Sequence, residues 1–142
     1  MRIRIALWLP RTAESVTVAR QALDRIFTAF GVRPDCRNEL ALAVSEACSN
    51  AVVHATGEPI YEVAAESVDS ECVITVNDSG PGLGRSRAPD MPPADAESGR
   101  GMALMRISAD RVQLHARRGG GLSVRMFKRL QWSDDALGRL AP

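Results

Sequence analysis

The stretch Leu40 to Ala55, LALAVSEACSNAVVHA, limits the fold more than any other part of the chain. It is long, almost uncharged and free of glycine and proline, so it reads as a helix with most of its circumference buried. Yet Glu46, Asn50 and His54 recur at every fourth residue. A helix turns by about 100° per residue, so each such step advances only about 40° and the polar groups form one slanting stripe. The plain account of that stripe is the wet edge of an amphipathic helix. Against it, Glu46 is the only charged residue from Leu40 to Ala55, and its companions Ser45, Ser49 and Asn50 are short. A narrow line of short polar groups suits a helix that roofs a pocket filled by a polar ligand. A carboxylate beside a neutral amide suits magnesium with phosphate, because Mg²⁺ takes oxygen ligands. The Asn50 amide oxygen could bind the metal without adding negative charge, and Glu46 could accept a proton from a hydroxyl or a water.

Such a roof needs a sheet beneath it. MRIRIALWLP alternates Ile3, Ile5 and Leu7 against Arg2, Arg4 and Ala6 and stops at Pro10. It reads as a strand, too short and too charged for a signal peptide or a membrane span. Val16, Ala19, Leu23, Ile26, Phe27 and Phe30 follow a helical period closed by Gly31, and a second helix is expected from Asp35 to Ala55. IYEVAAES and CVITVN read as strands joined by a short polar turn. The glycine- and proline-rich DSGPGLGRSRAPDMPPADAESGRG forbids regular structure, and a third helix is expected from Met102 to Asp110. RVQLHA and LSVRMFKRL form a hairpin across RRGGG. The expected architecture is a two-layer α+β sandwich, a mixed but mostly antiparallel sheet with the helices on one face. Residues 1–130 are read as one domain and 131–142 as a tail.

A chain of 142 residues with 45% hydrophobic content buries a core without metal or disulfide staples. Cys36, Cys48 and Cys72 make no CxxC pair, which suits a reducing cytosol and a cytoplasmic protein. A net charge of +1 argues against a bulk electrostatic grip on nucleic acid or an anionic membrane. Lys128 is the only lysine among 18 basic side chains, a bias that fits a GC-rich genome better than a chemical role.

Two further constellations accompany the stripe. In NDSGPG, Asp78 ends an apolar strand, and Gly80 and Gly82 remove side chains that would hold a flat ligand off the backbone. A carboxylate there can accept a hydrogen bond from an exocyclic amine such as that of adenine; the plain alternative is a turn. In SGRGMALM, Gly99 and Gly101 run into the expected third helix, where free amides and the positive end of the helix dipole make a phosphate site; the plain alternative is an ordinary helix start.

In this order, EACSNAVVHA, DSGPG and GRGMALM resemble the N box and the two glycine boxes of the GHKL ATP-binding superfamily, shared by DNA gyrase, histidine kinases and the MutL mismatch-repair proteins. The match is closest to the stand-alone anti-sigma-factor serine/threonine kinases, and it runs from the first strand to KRL. The resemblance implies a Bergerat-type ATP-binding fold, with ATP and Mg²⁺ as cofactors. It implies that Asn50 binds Mg²⁺, that Glu46 is the catalytic base and that Asp78 reads the adenine amine. Gly80 and Gly82 would shape the adenine pocket, Gly99, Arg100, Gly101 and Met102 would face the phosphates, and residues 83–98 would form a short ATP lid. His54 matches a histidine that often closes this N box and reads as a helix-end residue, and Ser49 keeps the hydroxyl of a common threonine. One position departs from the pattern. Leu122 stands where relatives carry a threonine that supports the adenine-binding aspartate, and Ser123 is expected on the opposite face of its strand.

The implied function is a serine/threonine kinase that phosphorylates an anti-sigma-factor antagonist and, when free of it, holds a sigma factor inactive. Protein partners follow, with no direct nucleic acid or membrane contact and with a homodimer left open. The alternative is a non-catalytic binding module of the same fold with a degenerate nucleotide site. Glu46 favours the kinase, and Leu122 points to the module. A detached histidine-kinase ATPase domain fits poorly, because no helical segment with a phosphoacceptor histidine precedes the first strand.

Overall fold

A computed structural model describes residues 2–54, 57–79 and 96–134, with the backbone alone for 96–100. The elements are β1 (Arg2–Pro10), α1 (Ala13–Ala29), α2 (Pro34–His54), β2 (Ile60–Val68), β3 (Glu71–Asn77), α3 (Ala96–Ser108), β4 (Arg111–Ala116) and β5 (Leu122–Arg129). The strands form one sheet in the order β1-β2-β3-β5-β4, and every ladder is antiparallel. The parallel component expected of a mixed sheet is absent among the described residues for a topological reason. The crossover through α3 delivers β4 parallel to β3 but one place away, and β5 fills the gap between them.

Strict alternation gives the sheet two unlike faces. Ile3 and Leu9 of β1, Tyr61, Val63 and Ala65 of β2, Cys72, Ile74 and Val76 of β3, and Val124 and Met126 of β5 are buried on the helix side. α2 covers them with Cys36, Leu40, Ala43, Val44, Ala47, Cys48 and Ala51. Tyr61 is fully buried and hydrogen-bonded to Ser15 at 2.7 Å. Ser15 donates to the Thr12 carbonyl, so the tyrosine hydroxyl is the donor of the pair.

The ends of α1 follow local chemistry. The Thr12 side chain accepts from Ser15 N–H at the start. At the other end Gly31 adopts φ 85, Gly31 N–H bonds Thr28 O and Val32 N–H bonds Phe27 O, the double closure of a Schellman motif. α2 opens with Pro34 in its first position, where a missing N–H costs nothing.

α3 begins at Ala96 rather than Met102, so Gly99 and Gly101 lie within the helix. A glycine costs a helix interior only about 1 kcal/mol, and burial of Met102 and Met105 in the core outweighs it. Residues 131–133, expected in the tail, are tied to the α1–α2 turn. Val32 bridges Trp132, Arg33 N–H bonds Gln131 O at 2.7 Å, and the Trp132 indole donates to Ser70 at 2.9 Å.

Lys128 is 9% exposed on the inner face of β5. It donates to Glu39 of α2 and stands 3.8 Å from Asp110, which follows α3. Burial alone would lower its pKa, but the two carboxylates reverse the sign and raise it, so the lysine stays charged. The cysteines are free and buried, and burial pushes the Cys48 and Cys72 thiols up to about 12. They behave as core atoms, not as nucleophiles. Removing Glu39 leaves the buried ammonium with Asp110 alone, so Glu39→Ala is expected to destabilise by about 1–3 kcal/mol. Lys128→Met fills the same space without charge and should cost less. Urea denaturation of both variants checks the order.

Candidate functional site

α2 sets the site. Its sheet-facing residues fix its rotation, which turns Glu46 and Asn50 toward α3. A Cβ placed on Gly101 would stand 3.1 Å from Glu46 Oε2 and 3.7 Å from Asn50 Oδ1. Gly101 is therefore the space in which the carboxylate and the amide sit, and both side chains are half-buried. From there α3 runs back along α2 until Asp110 meets the Lys128–Glu39 pair. The backbone amides of Gly99 to Gly101 are not the free ones expected at a helix start, because the first turn begins at Ala96. Met102 is buried in the core cluster. Gly99 and Arg100 lie in the early turns of α3, while Gly80, Gly82 and residues 83–95 of the expected lid lie outside the described residues.

Asp78 follows β3 directly and is 7% exposed. Its main chain and side chain both meet Leu122. Asp78 N–H bonds Leu122 O at 3.0 Å, and Leu122 N–H bonds Asp78 Oδ1 at 3.0 Å. Leu122 therefore supports Asp78 through its backbone N–H, a bond that a threonine would make as well, while its side chain brings no hydroxyl to the carboxylate. Arg117 of the β4–β5 hairpin donates to the Asp78 carbonyl at 2.6 Å. Burial raises the Asp78 pKa above the ordinary carboxylate value, opposed in turn by the Leu122 amide and by Arg117, Arg11 and His54. Arg11 brings a buried Nε with no hydrogen-bond partner among the described residues. His54 closes α2 as its last-turn basic residue, the helix-end place expected of it.

Gly121, with φ 97, makes this junction sterically possible. A Cβ there would lie 2.2 Å from Asp78 O and 2.8 Å from Ser79 Cα, an overlap with backbone that no rotamer relieves. The sequence shows only a glycine-rich turn in RRGGG. A hairpin needs fewer consecutive glycines than the three at 119–121, and that surplus is the one signal that could have marked the close approach.

The donor set fits a magnesium nucleotide. Asp78 Oδ1 accepts from the backbone, a carboxylate has acceptor capacity beyond one such bond that an exocyclic amine could use, and the cradle at Gly101 holds an oxygen pair from a carboxylate and an amide. Among the described residues no group of three or more His, Cys, Asp or Glu is arranged to hold a metal. Asn50 would be the protein ligand, with phosphate and water oxygens completing the shell.

Residues 9–128 match the Histidine kinase-like ATPase domain family, and the chain belongs to it. It is 29% identical over 141 residues to an anti-sigma F factor from Pasteuria penetrans, covering 93% of this chain and 94% of that one. It is 30% identical to the serine-protein kinase RsbW of Bacillus licheniformis, covering 89% and 86% of the two chains. The RsbW of Listeria monocytogenes serotype 4a is 31% identical, covering 90% and 88%. In fold it resembles the structure of the RsbU and RsbW domains of Rv1364c from Mycobacterium tuberculosis, with TM-score 0.69 and 19% identity, over 90% of this chain and 32% of that longer one. The histidine kinase domain from Erythrobacter litoralis EL346 follows at TM-score 0.56 and 19% identity, covering 86% and 62%.

Two outcomes test the Asp78 junction. The folded chain holds a proton on Asp78 at pH values where the unfolded chain has released it, so this group's contribution to stability falls as pH rises from the ordinary carboxylate range through the folded value. Asp78→Asn removes the charge and keeps an acceptor for Leu122. Its thermal stability should match or exceed wild type near neutral pH, with the two converging in acid as the wild-type carboxyl protonates. Gly121→Ala should cost upward of about 2 kcal/mol through clash and left-handed strain. Gly119→Ala, with φ 88 and nothing within 4 Å, should lose only about 1 kcal/mol. Equal losses in chemical denaturation would remove the close approach as the reason for Gly121.

Proposed function

We propose that the chain is an ATP-dependent serine/threonine protein kinase and anti-sigma factor of a partner-switching system, which phosphorylates an anti-sigma-factor antagonist. The observation that carries the reading is the meeting of Glu46 and Asn50 beneath Gly101, and near-full-length similarity to proteins named anti-sigma F factor and serine-protein kinase RsbW supports it. Asp78 accepts from the adenine amine, and Gly80 and Gly82 shape the pocket around the base. Asn50 holds Mg²⁺, and Gly99, Arg100 and Gly101 form the phosphate side with Met102 packed behind them in the core, with residues 83–98 as a short lid to a domain spanning 1–130. The metal supplies charge neutralisation between phosphate oxygens. Glu46 takes the proton from the attacking hydroxyl of the antagonist. The partners are that antagonist and a sigma factor, with no direct nucleic acid contact, in the cytoplasm; no described helix is long and apolar enough to cross a membrane. The alternative is a non-catalytic binding module of the same fold with a weak or degenerate nucleotide site, favoured by Leu122, whose side chain brings no hydroxyl to Asp78.

The variants separate the roles. Glu46→Gln should spare ATP affinity and lower phosphoryl transfer by roughly 10²–10⁴-fold. Asn50→Ala should impair both Mg²⁺-dependent ATP binding and transfer. Gly101→Ala should fold as well as wild type, since alanine favours a helix by about 1 kcal/mol, yet slow transfer by pressing on Glu46. Labelled ATP with candidate antagonists from the same genome, together with calorimetric ATP affinity, reads all three. Wild-type transfer rates in Glu46→Gln would remove Glu46 as the base.

A further inference from the structure

The sheet face turned away from the helices carries a second cavity, unrelated to the Glu46–Asn50 cradle. Its volume is about 270 Å³, and its lining includes Trp8, Glu58, Ile60, Glu62, Asn77 and Ser79. The register explains the grouping. Trp8 of β1 stands opposite Glu62 of β2, which stands opposite Asn77 of β3, so an indole, a carboxylate and an amide lie abreast on the outer face. Asn77 donates to Glu62 at 2.9 Å and holds that carboxylate in place. Glu58 is fixed at the rim through its N–H, bonded to Ser79 Oγ at 3.1 Å. Arg117 borders the cavity, but one of its guanidinium nitrogens is engaged with the Asp78 carbonyl.

Two carboxylates against one engaged guanidinium make the cavity a place for a cation. Its volume is below that of a pocket that encloses a whole cofactor or drug-sized ligand and suits one side chain. The apolar wall is open, with Trp8 66% and Ile60 50% exposed. A planar guanidinium can stack on an indole while its in-plane N–H groups reach carboxylates, and an ammonium lacks that geometry. We propose that this back-face cavity is a docking site for an arginine side chain carried on a segment of a protein partner, with the flanking residues of that segment covering Trp8 and Ile60. An arginine inserted beside a tryptophan is the kind of anchor that dominates protein interfaces.

The test uses the full chain and N-acetyl-L-arginine amide as the probe. The indole N–H signals of Trp8 and Trp132 are distinguished in a proton–nitrogen correlation spectrum, with Trp8→Phe giving the assignment. The Trp8 signal should shift saturably with the arginine probe and several-fold more weakly with the matching lysine amide, while the neutral N-acetyl-glutamine amide leaves it in place. The double variant Glu58→Gln, Glu62→Gln keeps an acceptor for Asn77 and should weaken the arginine response several-fold. No saturable shift at Trp8, an equal response to the lysine or neutral amide, or an unchanged response in the double variant would each overturn the proposal. Sedimentation that finds a self-associated chain dissociated by the same double variant would also overturn it, because the occupant would then be a second copy rather than a separate partner.

Discussion

The burial of α2 on three sides is the constraint from which the rest of the molecule follows. Its inner residues pack on the sheet, α1 lies along one flank and α3 along the other. A helix so enclosed has little room for charge. The one carboxylate in its central stretch, Glu46, faces the seam with α3, where Gly101 leaves space for it. In the proposed function that seam is also where the phosphates approach. On that reading the same packing that stabilises the domain places the chemistry.

Asp78 answers to a different balance. A carboxylate 7% exposed at a strand end is unfavourable to the folded chain by desolvation, and the Leu122 amide and nearby basic groups offset that only in part, since its pKa remains raised. The chain keeps glycine at position 121 to bring the hairpin against it. A locally unfavourable carboxylate of this kind suits the proposed role of Asp78 as a recognition group for a buried ligand.

The sequence carried the elements whose causes are local. The Gly31 ending of α1, the alternation of β1 and the Glu46–Asn50 stripe all rest on neighbours within a few residues. The features that escaped it depend on residues brought together from distant positions. Gly121 reads as part of a turn until Asp78 is placed beside it, and Lys128 reads only as the lone lysine of an arginine-rich chain until Glu39 and Asp110 close around it. The start of α3 was misplaced because glycine propensity is a weak signal that core burial of Met102 and Met105 overrides. The backbone bond from Leu122 to Asp78 depends on the approach of the hairpin and not on the side chain, so any residue but proline supplies it and the sequence could not show it.

The central claim is that Asp78 and the Glu46–Asn50 pair belong to one nucleotide site that reads adenine. Calorimetric titration of the chain with ATP and with GTP, each with saturating Mg²⁺, tests it most directly. In the proposed site ATP would present an amine to the Asp78 carboxylate, whereas GTP would present a carbonyl there, so ATP should bind and GTP should compete poorly. Equal affinities for the two nucleotides, or binding of neither, would contradict the account.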